Sequence, residues 1–127
     1  MNIRSAFSDD CPALAVIDAL SNPSPWSVKQ FASALAQPTD KLWVCETDGV
    51  ISGFIVWQDI LDESELHLIA TAPEYRRQGI AAALLEHWFR HAQAAGISRL
   101  LLEVRAGNTA AQSLYLKYGF TEVGIRK

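Results

Sequence analysis

Pro73-Glu74-Tyr75-Arg76-Arg77-Gln78-Gly79-Ile80-Ala81-Ala82-Ala83-Leu84-Leu85 sets a basic, glycine-containing turn between two stretches of different periodicity. The apolar run Leu66-His67-Leu68-Ile69-Ala70 before it suits a strand, and the residues after it repeat at helical spacing. Such a junction attracts anions, because the first backbone N–H groups of a helix lack intrahelical partners and carry the positive end of its dipole. Gly79 permits positive φ and removes the Cβ that would block close approach of a phosphate. Ala81 is the next smallest residue, two positions on. The turn therefore reads as a holder for a pyrophosphate.

Downstream, Ile80, Ala81, Leu84, Leu85, Trp88 and Phe89 recur near 3.6 periodicity, so a helix is expected to pack this stripe on a sheet. Gly96 suits its C-terminal cap. Residues 99–104 form a nearly continuous apolar run, as in a strand covered on both faces. Strand, helix, strand implies a right-handed parallel crossover. Asn108 can cap a last helix over about 109–118, which Gly119 stops.

Upstream, residues 42–47 and 51–57 are strand-like runs joined by Asp48-Gly49, a strong hairpin signal because both turn positions must accept positive φ. Asp59, Asp62, Glu63 and Glu65 crowd the next connection, either as an acidic rim that draws a cationic acceptor or as a plain solvated loop. Pro73 ends the following strand by removing a donor. Nearer the start, residues 2–6 make a short candidate strand, and Ser8-Asp9-Asp10 supplies caps for a helix through Leu14, Ile17 and Leu20. Pro12 falls in its first turn, while Pro23 and Pro25 forbid continuation past Ser21-Asn22. Ser27-Val28-Lys29-Gln30 reads as a capping box for a second helix carrying Phe31 and Leu35, ended by Pro38 and Asp40. Trp26 beside that helix start is read as core packing, given the apolar area an indole buries.

A chain of 127 residues that is 50% hydrophobic is one ordinary globular domain, taken here as residues 1–127. A net charge of −3 argues against nucleic acid as the main partner. No apolar run approaches the ~20 residues needed to span a bilayer, and Met1-Asn2-Ile3-Arg4 lacks a signal-peptide pattern, so neither membrane association nor export is expected and a cytoplasmic location is. Cys11 and Cys45 are far apart and without metal-ligand spacing, which fits two reduced structural thiols.

Arg76-Arg77-Gln78-Gly79-Ile80-Ala81 resembles the Gln/Arg-x-x-Gly-x-Gly/Ala signature of the GNAT superfamily of N-acetyltransferases, whose corresponding loop binds the pyrophosphate of acetyl-coenzyme A. Leu102-Glu103-Val104-Arg105-Ala106-Gly107-Asn108 and Leu114-Tyr115-Leu116-Lys117-Tyr118-Gly119-Phe120 resemble two further blocks of that family. With Pro25-Trp26-Ser27, they are most similar to the RimI-type ribosomal-protein alanine N-acetyltransferases, and the likeness covers essentially the whole chain. The resemblance implies an α/β fold of the α+β kind, with a mixed, mostly antiparallel sheet and helices on both faces. It implies acetyl-CoA as cosubstrate and a protein N-terminus, that of a ribosomal protein, as acceptor. Leu68, Ile69 and Ala70 would pair through their backbone with the pantetheine arm, Arg76, Arg77, Gln78, Gly79, Ile80 and Ala81 would hold the pyrophosphate, and Asn108 and Tyr115 would contact coenzyme A.

Acetyl transfer to an amine needs a neutral nitrogen, a carbonyl beside it and a proton for the leaving thiolate. An α-amino group has an unperturbed pKa of roughly 7.7 to 8.0, so a nearby carboxylate can accept its proton directly or through water. Glu103 matches the family's general base, with a salt bridge to Arg99 or Arg105 as the structural alternative. Glu65 is the second candidate. His67 is read as a packed or solvated histidine rather than a catalytic one, although its side chain type suits proton relay. Tyr115 matches the family's acid for the departing thiolate. Neither cysteine falls in a matching block, so direct attack in a ternary complex is expected, and no metal is required.

Two departures accompany the likeness. RimI-type chains continue past residues 121–127 with another strand, so a missing C-terminal strand is expected here, leaving an exposed sheet edge beside residues 99–104. Leu68 stands where close relatives carry asparagine. A monomer or weak homodimer is expected, the latter by borrowing a strand. Acetylation of a small amine, or coenzyme A binding without catalysis, are the alternative readings.

Overall fold

The computed structural model describes residues 1–102 and the strand at residues 123–125. Strand β1 (Asn2–Ser5) leads through a 3-10 turn (Ser8–Asp10) into helix α1 (Cys11–Ser21), with helix α2 (Val28–Leu35) following. Pro12 sits in the first turn of α1, where its missing N–H costs nothing, and Asn22 closes the helix by donating its N–H to the Asp18 carbonyl at 2.8 Å. The capping box of α2 forms as its sequence requires. Ser27 Oγ accepts the Gln30 N–H at 3.2 Å, and Gln30 Oε1 accepts the Ser27 N–H at 2.8 Å.

Strands β2 (Asp40–Thr47), β3 (Val50–Ile60) and β4 (Glu63–Thr71) make an antiparallel meander. Asp48 and Gly49 take φ of 53° and 76° in its first turn, the positive values that two-residue hairpins demand. A second 3-10 turn (Pro73–Tyr75), helix α3 (Ile80–Ala94) and strand β5 (Arg99–Leu102) complete a parallel crossover. Gly96, at φ 73°, ends α3 in the left-handed region as expected. Among the described residues six strands stand in the order β1-β2-β3-β4-β5-β6, β6 being Val123–Ile125.

Alternation along β3 divides the core. Ile55 and Trp57 face α3 with Leu84, Leu85, Trp88 and Phe89, while Phe54 and Val56 face α1 and α2 with Leu14, Ile17 and Phe31. Burying side chains of this size contributes about 1.5–3 kcal/mol each, so both helical layers are held by the sheet between them. The mixed, mostly antiparallel sheet with helices on both faces is the architecture expected from sequence.

Three local expectations change. Ser8-Asp9-Asp10 forms a 3-10 turn, and no side chain there caps α1. The Asp10 carboxylate instead accepts the Phe7 N–H at 2.7 Å and two bonds from Arg4, at 2.8 and 3.0 Å. Ala81, counted in the packing stripe of α3, is exposed, because the helix begins at Ile80 and its first turn points Ala81 away from the sheet. The edge of β5 is not bare: Leu100, Leu101 and Leu102 pair in parallel with Val123, Gly124 and Ile125, so among the described residues the outer edge is that of β6.

Candidate active site

The basic turn and the start of α3 form one wall of a cavity of about 440 Å³. Arg76 is extended, Arg77 has φ 66° and Gly79 has φ 78°. A non-glycine residue held in the left-handed region costs on the order of 1–3 kcal/mol, a strain that concentrates at binding turns. Gly79 is the N-cap and provides no side-chain cap; the first i to i−4 bond from it runs from Ala83 N–H to Gly79 O at 3.0 Å. The N–H groups of Ile80, Ala81 and Ala82 thus precede the helical ladder and stay available to an anion. A Cβ placed on Gly79 meets no atom within 4 Å, so the approach to these donors is open. Arg76 and Arg77 are exposed and form no ion pair among the described residues.

The second wall is β4. Its pairing with β5 covers Glu63, Ser64 and Glu65, and among the described residues nothing pairs with that edge from residue 66 to residue 71. Ile69, Ala70 and Thr71 line the cavity along this open edge, which an extended amide-bearing chain can join as an added strand. Ser21 at the end of α1, whose buried Oγ has no hydrogen-bond partner among the described residues, and Tyr75 complete the lining. An uncapped helix terminus with two arginines beside an unpaired strand edge suits a ligand that has a pyrophosphate at one end and an amide-containing arm at the other.

Further along β4 the register slips. Val56 pairs with Leu68 but Trp57 with Leu66, so His67 is the extra residue of a bulge. Its Nε2 lies 3.9 Å from Glu65 Oε1, and the Trp26 ring stands edge-on at 6.4 Å. Trp26 itself packs on Phe31 at 5.3 Å, in keeping with its reading as core. Asp18, fully buried at 0% exposure, fixes this connection by accepting the Trp26 N–H at 2.8 Å and the Asn22 side-chain amide. Glu63, from the acidic group noted in the sequence, is 3.6 Å from Arg99, and Asp62 accepts the Ser98 hydroxyl at 2.8 Å.

Of the residues singled out for the cofactor, Ile69, Ala70, Arg76, Arg77, Gly79, Ile80 and Ala81 meet around the cavity. Leu68 packs into the core on the α1 and α2 side, and Gln78 is exposed and outside the lining. Glu103, Asn108 and Tyr115 lie outside the described residues. Ser21 and Tyr75 were not foreseen, since nothing local in sequence says that the end of α1 reaches the turn before α3. Both cysteines are free and buried, and burial, reinforced by Asp10, pushes the Cys11 thiol up and away from nucleophilic use. No group of three or more metal-ligating side chains occurs among the described residues, and none of their helices is long and apolar enough to cross a membrane.

A strand-to-helix anion site beside a strand edge that is unpaired among the described residues suits a protein that binds a phosphate-bearing cofactor, and the sequence narrows the class. Residues 6–120 match the Acetyltransferase (GNAT) family, and the chain belongs to it. It is an acetyl-CoA-dependent N-acetyltransferase. It is 39% identical over 125 residues to the ribosomal protein bS18-alanine N-acetyltransferase of Escherichia coli (strain K12), a match covering 98% of this chain and 84% of that protein. The enzyme of the same name from Haemophilus ducreyi is 36% identical, over 98% of this chain and 86% of the relative. The crystal structure of the ribosomal-protein-S18-alanine N-acetyltransferase from Escherichia coli superposes with a TM-score of 0.79 at 38% identity, covering 93% of this chain and 76% of that one.

Proposed function

We propose that this chain transfers acetyl from acetyl-CoA to the N-terminal alanine of a small ribosomal protein, in the cytoplasm, by direct attack in a ternary complex. The observation that carries the reading is the cavity itself, where the uncapped start of α3, Arg76 and Arg77 adjoin the unpaired edge of β4. The acceptor rests on the relatives, which are named for acting on ribosomal protein bS18 and match nearly the whole chain. Residues 1–127 act as one domain, as a monomer or weak homodimer.

The pyrophosphate sits on the N–H groups of Ile80, Ala81 and Ala82, with Arg76 and Arg77 neutralising its charge. The pantetheine amides then join the edge of β4, which fixes the thioester with little conformational freedom left to lose. Glu103 serves as general base toward the amine and Tyr115 protonates the departing thiolate, while Asn108 contacts the cofactor.

Thiol release on mixing the protein with acetyl-CoA and an alanine-starting basic peptide tests this, with the acetyl group located by fragment mass. The expected result is release matched by acetylation of the α-amine. Release with simple amines but not with the peptide overturns the acceptor, and no release with any amine overturns the catalytic reading.

A further inference from the structure

Two protons must leave the acceptor, and the assigned groups account for one of them. An N-terminal amine, with an unperturbed pKa of roughly 7.7–8.0, arrives mostly as the ammonium at neutral pH. That ion has no lone pair for attack. It loses one proton to become a nucleophile and a second when the C–N bond has formed and the C–S bond breaks.

We propose that His67, backed by Glu65, takes the first of these protons. The inference rests on the acceptor reading above and adds residues to it. His67 is the unpaired residue of the β4 bulge, and bulges re-aim side chains that regular alternation would send elsewhere. Among the described residues, Glu65 opposite Leu101 is the last pair of β4 with β5, two residues before the bulge. Ile69, which lines the cavity, lies two residues further, roughly 7 Å along the strand. The His67 side chain is 26% exposed, so it is neither sealed in the core nor fully solvated. Among the described residues, the groups that face it are the Glu65 carboxylate on its own strand and the Trp26 ring from the connection between α1 and α2. Glu65 is its one ion-pair partner among the described residues, at 3.9 Å. A ring nitrogen of imidazole can accept a proton directly, and the Glu65 carboxylate beside Nε2 is positioned to orient the ring for that transfer.

The balance closes. His67 accepts H⁺ from R–NH3⁺ and returns it to solvent. The freed lone pair attacks the carbonyl carbon, the second N–H proton passes to Glu103 as the amide forms, and the C–S electron pair leaves with sulfur, which Tyr115 protonates. Glu103 then reprotonates Tyr115. One proton is released per turnover.

The test follows kcat and KM against pH for the wild-type protein, His67→Gln and Glu65→Gln, with acetyl-CoA affinity measured calorimetrically for each. At pH 7 we expect His67→Gln to lower kcat/KM for the peptide by up to about tenfold, because roughly a tenth of an amine with a pKa near 7.7–8.0 already arrives neutral there and needs no such base. The loss shrinks as pH rises past the pKa of the peptide amine, because the nucleophile then arrives neutral. Glu65→Gln shows a smaller loss with the same recovery, and both variants bind acetyl-CoA within twofold of wild type. A loss that is uniform across pH, or no loss, with normal wild-type turnover, overturns this proposal alone. A wild-type protein that binds acetyl-CoA but does not acetylate the peptide overturns the acceptor reading, and this proposal with it.

Discussion

Gly53 of β3 and Ala70 of β4 approach so closely that a Cβ on the glycine would stand 2.9 Å from the Ala70 carbonyl oxygen, and equally 2.9 Å from Ile80 Cγ2. One missing methyl thus lets the end of β4 and the start of α3 meet, and both elements line the cavity. Since a backbone oxygen cannot swing aside as a side chain can, Gly53→Ala is expected to destabilise by about 1–3 kcal/mol. It should weaken acetyl-CoA binding as well, although it lies outside the lining. Denaturant unfolding and calorimetric titration of the same preparation measure the two effects.

Arg77→Ala removes a cation from the turn and leaves a non-glycine residue at φ 66°, so the backbone strain there is unchanged. Acetyl-CoA affinity is expected to fall about 10- to 100-fold, in line with the ~1.5–3 kcal/mol of a hydrogen bond to a charged group. The deficit should narrow at high salt, because an exposed cation is screened. Thermal stability should change little. Gly79→Ala acts differently, as its Cβ meets nothing within 4 Å and the cost is the backbone strain of positive φ, about 1 kcal/mol. Affinity and melting temperature, measured together, separate the two variants.

The Trp88 Nε1–H donates to Ser64 Oγ at 2.8 Å, with both residues fully buried. Ser64→Ala leaves that indole N–H without a partner, which costs about 1–3 kcal/mol. Ser64 also neighbours the last pairing of β4 with β5, opposite Leu100. Equilibrium unfolding should show the loss, and Ser64→Thr, which keeps the hydroxyl, should recover part of it.

Acid sensitivity has a named source in His87. Burial, then His91 and Arg90, push it down to about 4 from an ordinary value of 6.5, and its buried Nε2 has no hydrogen-bond partner among the described residues. Because the folded value is the lower one, the unfolded chain binds the extra proton first, so this histidine destabilises the fold as pH falls from about 6.5 to about 4. Above that window it contributes nothing. His87→Gln should flatten the melting temperature against pH across the interval, and an unchanged slope would contradict the assignment.

How much of this was legible in sequence varies with the range of the interaction. The Asp48-Gly49 hairpin, the Ser27 and Gln30 capping box, the Gly96 helix stop and the basic turn before α3 are set by residues within a few positions of one another, and all were readable. The bulge at His67 was not, because it is a mismatch between β3 and β4 and neither strand alone carries a mark of it. Without it His67 looked like any strand histidine. Ser21 entered the cavity lining for the same reason, through the packing of α1 against the sheet. Asp10 misled locally: it reads as a helix cap, but Arg4, six residues earlier, claims its carboxylate.

The central proposal is that the turn at residues 76–81 holds the donor by its pyrophosphate. The direct test is a calorimetric titration of the wild-type protein with acetyl-CoA and with S-acetylpantetheine, which keeps the thioester and amide arm and lacks the phosphates. We predict that acetyl-CoA binds and that the truncated donor binds at least about a hundredfold more weakly, the share of affinity expected from charge-assisted bonds to an anion. Equal binding of the two, or no binding of acetyl-CoA, would contradict it.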